Sequence, residues 1–218
     1  MFAAVLFDWD GTLADTRQAI LLSFRKALEK VNVYVPDEFI ERRVGIGAEE
    51  TFREILKAGN TRFDDALIKS LVQGKIRSEI SLSDHVTLLP GAVGLLKSLR
   101  GKVKLALASM NNKPVVDHLL GKMGLNGFFD VVLTVEEVTH FKPHPEIFLK
   151  CSSLLGESPE KCLVVEDSLF GVQAAKAAGM SCLTVLTGAY SETELALAGS
   201  EMIVASLMDT KILRFILQ

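Results

Sequence analysis

Apolar residues in the second half of the chain fall into short continuous runs, separated by stretches with helical spacing. Residues 104–108, 131–134, 162–165 and 181–186 read as strands, and 3–7 reads as another at the start of the chain. Between them Val115, Val116, Leu119, Leu120 and Met123 recur at helical intervals over 114–123, and Gly124 closes that element. Residues 145–155 and 168–178 also read as helices, the second stopped by Gly179. Pro90-Gly91 opens a further helix over 92–99, which Gly101 ends. Strands bounded by helices of this length predict βαβ units and a parallel sheet. Right-handed crossovers then give a doubly wound α/β core of the Rossmann-like kind.

The pattern changes between Thr16 and His85. Ile20, Phe24 and Leu28 recur at i+4 with Leu21 beside them. Phe52, Ile55 and Leu56 form a second stripe, and Ala66, Leu67, Leu71 and Val72 a third. No strand pattern interrupts them. The expected organisation is therefore an α/β core of residues 1–15 and 86–218, with an α-helical cap inserted at 16–85.

Chemistry gathers where the predicted strands end, which is where open α/β sheets bind ligands. Asp8-Trp9-Asp10-Gly11-Thr12 follows the first strand. Two adjacent carboxylates raise one another's pKa unless a cation neutralises them. This pattern predicts Mg²⁺, which takes a few carboxylates together with substrate phosphate oxygens. Gly11 and Thr12 predict a tight turn whose N–H groups face inward. A second acidic pair, Glu166-Asp167, ends the strand at 162–165, and Ser168 is placed to cap the next helix. Ser109 and Met110 follow the strand at 104–108, where a hydroxyl and loop N–H groups can hold phosphate oxygens. Lys142 lies between His140 and the pair Pro143 and Pro145, which stiffen its segment.

Composition narrows the reading. Lys and Arg number 24 against 27 Asp and Glu, for a formal charge of −3, which excludes a generally basic nucleic-acid binder. No apolar run approaches the ~20 residues that span a bilayer. Met1 to Phe7 is apolar but short and lacks a basic leader, which speaks against a signal peptide. Three cysteines, Cys151, Cys162 and Cys182, cannot all pair within one chain and fit no metal spacing. They read as buried thiols in a reducing cytoplasm. Neither a phosphate loop of the Gly-x₄-Gly-Lys type nor a Gly-x-Ser-x-Gly elbow occurs. None of the four histidines shows zinc spacing.

The four patches, in this order, resemble the haloacid dehalogenase-like hydrolase superfamily. The run from Phe7 to Thr16 is similar to its first motif, Ser109 to its second, and Lys142-Pro143 to its third. Glu166-Asp167-Ser168, with Gly171, Ala174, Ala175, Ala178 and Gly179, is similar to its fourth. The helical insert resembles the cap of the branch that holds phosphoglycolate phosphatases, sugar-phosphate phosphatases and β-phosphoglucomutase. The resemblance implies that Asp8 is a nucleophile forming an aspartyl-phosphate and also a Mg²⁺ ligand. Asp10 would act as acid and base, with its backbone carbonyl on the metal. Thr12, Ser109 and Met110 would bind phosphate, and Lys142 would steady both phosphate and Asp8. Asp167 would ligate Mg²⁺, with Glu166 assisting directly or through water.

Within the superfamily, Asp10 favours phosphate chemistry, because expelling halide needs no proton donor. Thr12 favours a phosphatase over a mutase. Arg43, Gly45 and Gly47 resemble a cap segment of phosphoglycolate phosphatases, so Arg43 is a candidate substrate contact; a solvated helix charge beside Arg42 is an equal reading. Lys142-Pro143-His144-Pro145 resembles sugar-phosphate phosphatases as closely, and Ser109-Met110 departs from the Thr-Asn common in the phosphoglycolate group. The expected activity is Mg²⁺-dependent hydrolysis of a small phosphorylated metabolite by a monomer or weak homodimer, without nucleic-acid or membrane partners. The competing readings are a phosphomutase, a receiver-type signalling module and a non-catalytic binding protein.

Overall fold

The strand β1 (Ala4–Phe7) is buried along its whole length at the centre of a six-stranded sheet. The computed structural model spans residues 1–218. The other strands of this sheet are β4 (Lys104–Ala108), β5 (Val131–Leu133), β6 (Cys162–Glu166), β7 (Ser181–Val185) and β8 (Met202–Val204). Their order is β5-β4-β1-β6-β7-β8, and every pairing is parallel. This is the predicted doubly wound α/β core. The chain moves outward from β1 through β4 and β5, then crosses back to β6 on the other side. β1 and its two neighbours therefore flank the topological switch point, where strand ends leave a crevice.

Alternation along the strands splits the core into two layers. Val5, Phe7, Leu105, Leu107, Leu163 and Val165 face α5 (Ala92–Leu99), α6 (Lys113–Lys122) and α10 (Lys211–Leu217). Ala4, Leu6, Ala106, Ala108, Cys162 and Val164 face α7 (Glu146–Leu155), α8 (Leu169–Ala177) and α9 (Glu192–Ala198). Both faces being covered, the strands carry continuous apolar runs rather than an alternation with polar residues.

After β1 the chain makes a short ribbon, β2 (Ala14–Asp15) paired antiparallel with β3 (Thr87–Leu88). The hydrophobic pattern did not reveal this ribbon, since two-residue strands carry no period. Between its strands lie α1 (Arg17–Leu28), α2 (Asp37–Glu41), α3 (Ala48–Ala58) and α4 (Asp65–Ser81). Ile20, Phe24, Phe52, Ile55, Leu56, Ile68 and Leu71 form a core belonging to these helices. Asp64 caps α4 by accepting from Leu67 N at 2.8 Å. Further along α4, Ile76 joins the core of the sheet, so this helix reaches from one layer to the other. No helix is long and apolar enough to cross a membrane.

Candidate active site

Asp8, Ser109 and Asp167 stand just past the C-terminal ends of the adjacent strands β1, β4 and β6. Asp8 is still tethered to the sheet, its N–H donating to Val165 O at 3.0 Å. Its Oδ1 accepts from Lys142 Nζ at 2.7 Å. Lys142 also donates to Glu166 Oε1 at 2.7 Å and to Ala108 O at 3.1 Å. Its ammonium lies 4.9 Å above the Phe148 ring. A lysine only 1% exposed is thus fixed by three oxygens and an aromatic face. The prolines of its segment predicted such a held side chain.

The carboxylates of Asp8, Glu166 and Asp167 are all buried, each with an oxygen within 4.8 Å of the others. One ammonium faces three carboxylates. Burial opposes the Lys142 charge, but Asp8 and then Glu166 outweigh burial and hold its pKa above the ordinary lysine value. Burial pushes Asp8 up to about 8 despite Lys142, and Glu166 and Asp10 add like-charge repulsion. Burial, then Glu166 and Asp8, also raise Asp167 well above the usual carboxylate range. This is a cluster short of positive charge. Hard oxygen donors with that deficit fit a divalent cation such as Mg²⁺.

The three carboxylates differ in what already holds them. Glu166 is engaged on both oxygens: Oε1 receives Lys142, while Oε2 accepts from Asp167 N, Ser168 N and Ser168 Oγ at 2.9–3.2 Å. Asp167 accepts only from Thr12 Oγ1, at 3.2 Å. Asp8 and Asp167 are therefore the pair best placed to hold a cation directly. Two glycines make room for Asp167. A Cβ on Gly11, which has φ +81°, would stand 2.2 Å from an Asp167 oxygen; one on Gly188 would stand 2.3 Å away. Ser168 caps α8 as expected, accepting from Gly171 N at 3.1 Å.

Asp10 turns away from this cluster toward the helical insert. Its Oδ1 accepts from Asn111 Nδ2 at 3.3 Å. Burial and the neighbouring Glu79 push its pKa up to about 6, against Lys75 and hydrogen bonds from Thr16 and Asn111. A carboxyl group tuned near neutrality suits proton transfer in both directions. Ser109 is fully buried, and its Oγ accepts from Asn111 N at 3.0 Å, leaving its O–H proton to donate. Met110 is buried beneath the insert, where a Cβ on Gly47 would lie 3.7 Å from its carbonyl oxygen. Gly45 abuts Ser168 in the same way, at 3.2 Å from Oγ. Arg43 is held inside the insert: Nε pairs with Glu54 at 2.5 Å, Nη1 donates to Phe39 O, and the guanidinium covers the Phe39 ring.

A cleft of roughly 590 Å³ between insert and sheet is lined by Asp10, Gly11, Thr16, Asp167 and Tyr190, among others. A second space, of about 30 Å³, lies among Asp10, Asn111, Lys75 and Arg43. The insert is clasped to the core nearby. Arg42 pairs with Glu194 at 2.6 Å, and Tyr190 Oη donates to Arg42 O at 2.6 Å.

Sequence reading missed Thr16, Lys75, Glu79 and Gly188. Lys75 and Glu79 continue the Leu67–Leu71 stripe at i+4, so charges on an apolar helix face were the available signal. It also missed that His140, His144 and Glu146 converge at the surface. Glu146 there accepts from Thr139 N, His140 N, His140 Nδ1 and Lys150, which shapes the loop carrying Lys142.

Buried acids, a fixed lysine and a hydroxyl at the ends of parallel strands define a hydrolase-type centre. The model of the haloacid dehalogenase-like hydrolase family matches residues 5–185. The fructose-1-phosphate phosphatase YqaB of Escherichia coli is 31% identical over 187 residues, covering 84% of this chain and 96% of its own. The β-phosphoglucomutase of Bacillus subtilis is 32% identical over 192 residues, covering 85% of this chain and 84% of its own. The crystal structure of a β-phosphoglucomutase from Clostridium difficile superposes with a TM-score of 0.88 at 27% identity, over 100% of this chain and 97% of that one. The chain belongs to the haloacid dehalogenase-like hydrolase family, and it is an enzyme of the phosphohydrolase type.

Proposed function

We propose that the protein is a Mg²⁺-dependent phosphatase that hydrolyses a small phosphate monoester through an aspartyl-phosphate on Asp8. The observation that carries this reading is Lys142 locked between Asp8 and Glu166, beside a buried Asp167 carboxylate whose hydrogen-bond partner is the Thr12 hydroxyl. Phosphoryl transfer needs in-line positioning and neutralised charge more than elaborate covalent chemistry. In the first step an Asp8 oxygen bonds to phosphorus while the bond from phosphorus to the leaving alcohol breaks. Asp10 delivers its proton to that departing oxygen. In the second step Asp10, now a carboxylate, takes a proton from water as the water oxygen attacks phosphorus. The bond to Asp8 then breaks, and phosphate and the free Asp8 carboxylate result.

Lys142 balances charge on the transferring group, and the Ser109 hydroxyl holds one of its oxygens. Thr12, expected to share that task, is instead fully buried, its hydroxyl donating to Asp167 and its N–H to Trp9 O. Asp8, Asp167 and the Asp10 carbonyl would hold Mg²⁺, with Glu166 assisting through water. When bound, the ion would supply the positive charge that Lys142 alone does not. The helical insert acts as a cap that closes over the site and excludes bulk water. The three cysteines are free and buried, which fits the cytoplasmic location we assign.

The match to a β-phosphoglucomutase keeps a second reading in play, in which the aspartyl-phosphate passes to a sugar hydroxyl. A phosphate-release screen over fructose 1-phosphate, other sugar phosphates, phosphoglycolate and pyrophosphate, with Mg²⁺ or EDTA, separates the two. The phosphatase reading predicts metal-dependent inorganic phosphate from at least one ester. Isomerisation of β-glucose 1-phosphate without phosphate release would establish the mutase instead.

A further inference from the structure

Three cations of the cap line the two spaces beside Asp10: Arg17, Arg43 and Lys75. Each is already paired. Arg17 Nε meets Glu41 at 2.7 Å at the cleft mouth. Arg43 is taken by Glu54 and the Phe39 carbonyl. The decisive pair is deeper. Lys75 and Glu79 are 3% and 0% exposed and form an ion pair one helical turn apart on α4. Asn111 completes the group: its Oδ1 accepts from Lys75 Nζ at 2.9 Å, and its Nδ2 donates to Glu79 Oε1 at 2.8 Å and to Asp10 Oδ1 at 3.3 Å. Lys75 lines the space above Asp10, whereas Glu79 stands behind it.

We infer that Glu79 is a specificity-determining positioning residue, which cancels the Lys75 charge so that the site takes phosphate esters with an uncharged, hydroxyl-bearing leaving group. This rests on the phosphatase reading and concerns its substrate class. Fields between buried charges are little screened, so the Glu79 carboxylate offsets the Lys75 ammonium where the leaving group must sit. A leaving group with its own carboxylate or second phosphate would lose water there and meet no unpaired cation. A hydroxyl group can instead accept from the Lys75 ammonium, which has three N–H donors and places them on two partners here, Glu79 and Asn111. Arg43, whose sequence context resembles phosphoglycolate phosphatases, does not supply the missing cation, because its guanidinium is already engaged.

The test compares kcat/KM for fructose 1-phosphate, whose leaving alcohol is uncharged, with that for phosphoglycolate, whose leaving alcohol, glycolate, carries a carboxylate. The wild-type enzyme is expected to favour the sugar ester by about tenfold or more. In Glu79→Gln the amide still accepts from Asn111 but Lys75 is left unpaired. The ratio is expected to move about tenfold toward phosphoglycolate. Adding Lys75→Gln to that variant removes the charge and should reverse the shift. A merely structural role would lower both activities together and leave the ratio unmoved; that outcome, or a wild type preferring phosphoglycolate, overturns the inference. The wild-type preference decides even if the variants do not fold. Release of phosphate from neither ester nor from any other monoester overturns the phosphatase reading itself.

Discussion

Asp8→Asn is expected to lower phosphate release by roughly 10⁴-fold or more, the scale on which losing a nucleophile acts, while the protein stays folded. The amide matches the carboxylate in shape and still offers an oxygen to Lys142, but it lacks the anionic oxygen that bonds to phosphorus. Stability should move the other way from activity. The Asp8 pKa is raised from an ordinary value of 3.8 to about 8, chiefly by burial. The folded protein therefore binds more protons at Asp8 than the unfolded chain does between those values. Stability contributed by this group is present below about pH 4 and is lost as pH rises through about 8. Asparagine does not ionise and escapes that loss. Metal-free Asp8→Asn should melt above the wild type at pH 8, with the gap narrowing toward pH 4. Thermal melts in EDTA at the two pH values check this; a variant that melts lower at pH 8 contradicts it.

Lys142→Met should be damaging to the fold as well as to activity. The methionine fills much of the same volume but carries no charge. Asp8 and Glu166 would then be buried with no ammonium between them. Removing one partner of a buried ion pair costs about 3–5 kcal/mol, a large part of the stability of an ordinary domain. Urea unfolding of the metal-free protein should show that loss, in full only above the Asp8 value of about 8, where Asp8 is charged opposite Lys142. A loss under about 1 kcal/mol would mean that Lys142 does not carry the cluster's charge balance. The contrast between the two substitutions is itself informative. One removes a surplus anion, the other the only ammonium.

Much of this site was legible because its residues sit at strand ends, where the chain order of motifs maps onto neighbouring strands. Asp8, Ser109 and Asp167 are distant in sequence, yet β4, β1 and β6 are adjacent in the sheet. Lys142 was legible through its prolines. What the sequence hid was mostly contact between layers. Gly188 follows a strand as many glycines do, and only the packing shows that a side chain there would strike Asp167. Lys75 and Glu79 look like ordinary helix charges until α4 is seen to bury them against Asn111. Arg43, the motif-based candidate for a substrate contact, is paired with Glu54 while it lines the small space beside Asp10. β8 and α10 escaped the hydrophobic pattern because a three-residue strand and a seven-residue helix give too short a period.

The central claim is that Asp8 carries the phosphoryl group between substrate and water. Acid-quenched turnover with a phosphate-labelled ester in Mg²⁺, followed by peptide mapping, tests it directly. Label is expected on the peptide holding Asp8, absent in EDTA and absent in Asp8→Asn. Rapid release of labelled phosphate with no label on that peptide at any quench time, or label retained by Asp8→Asn, would contradict it.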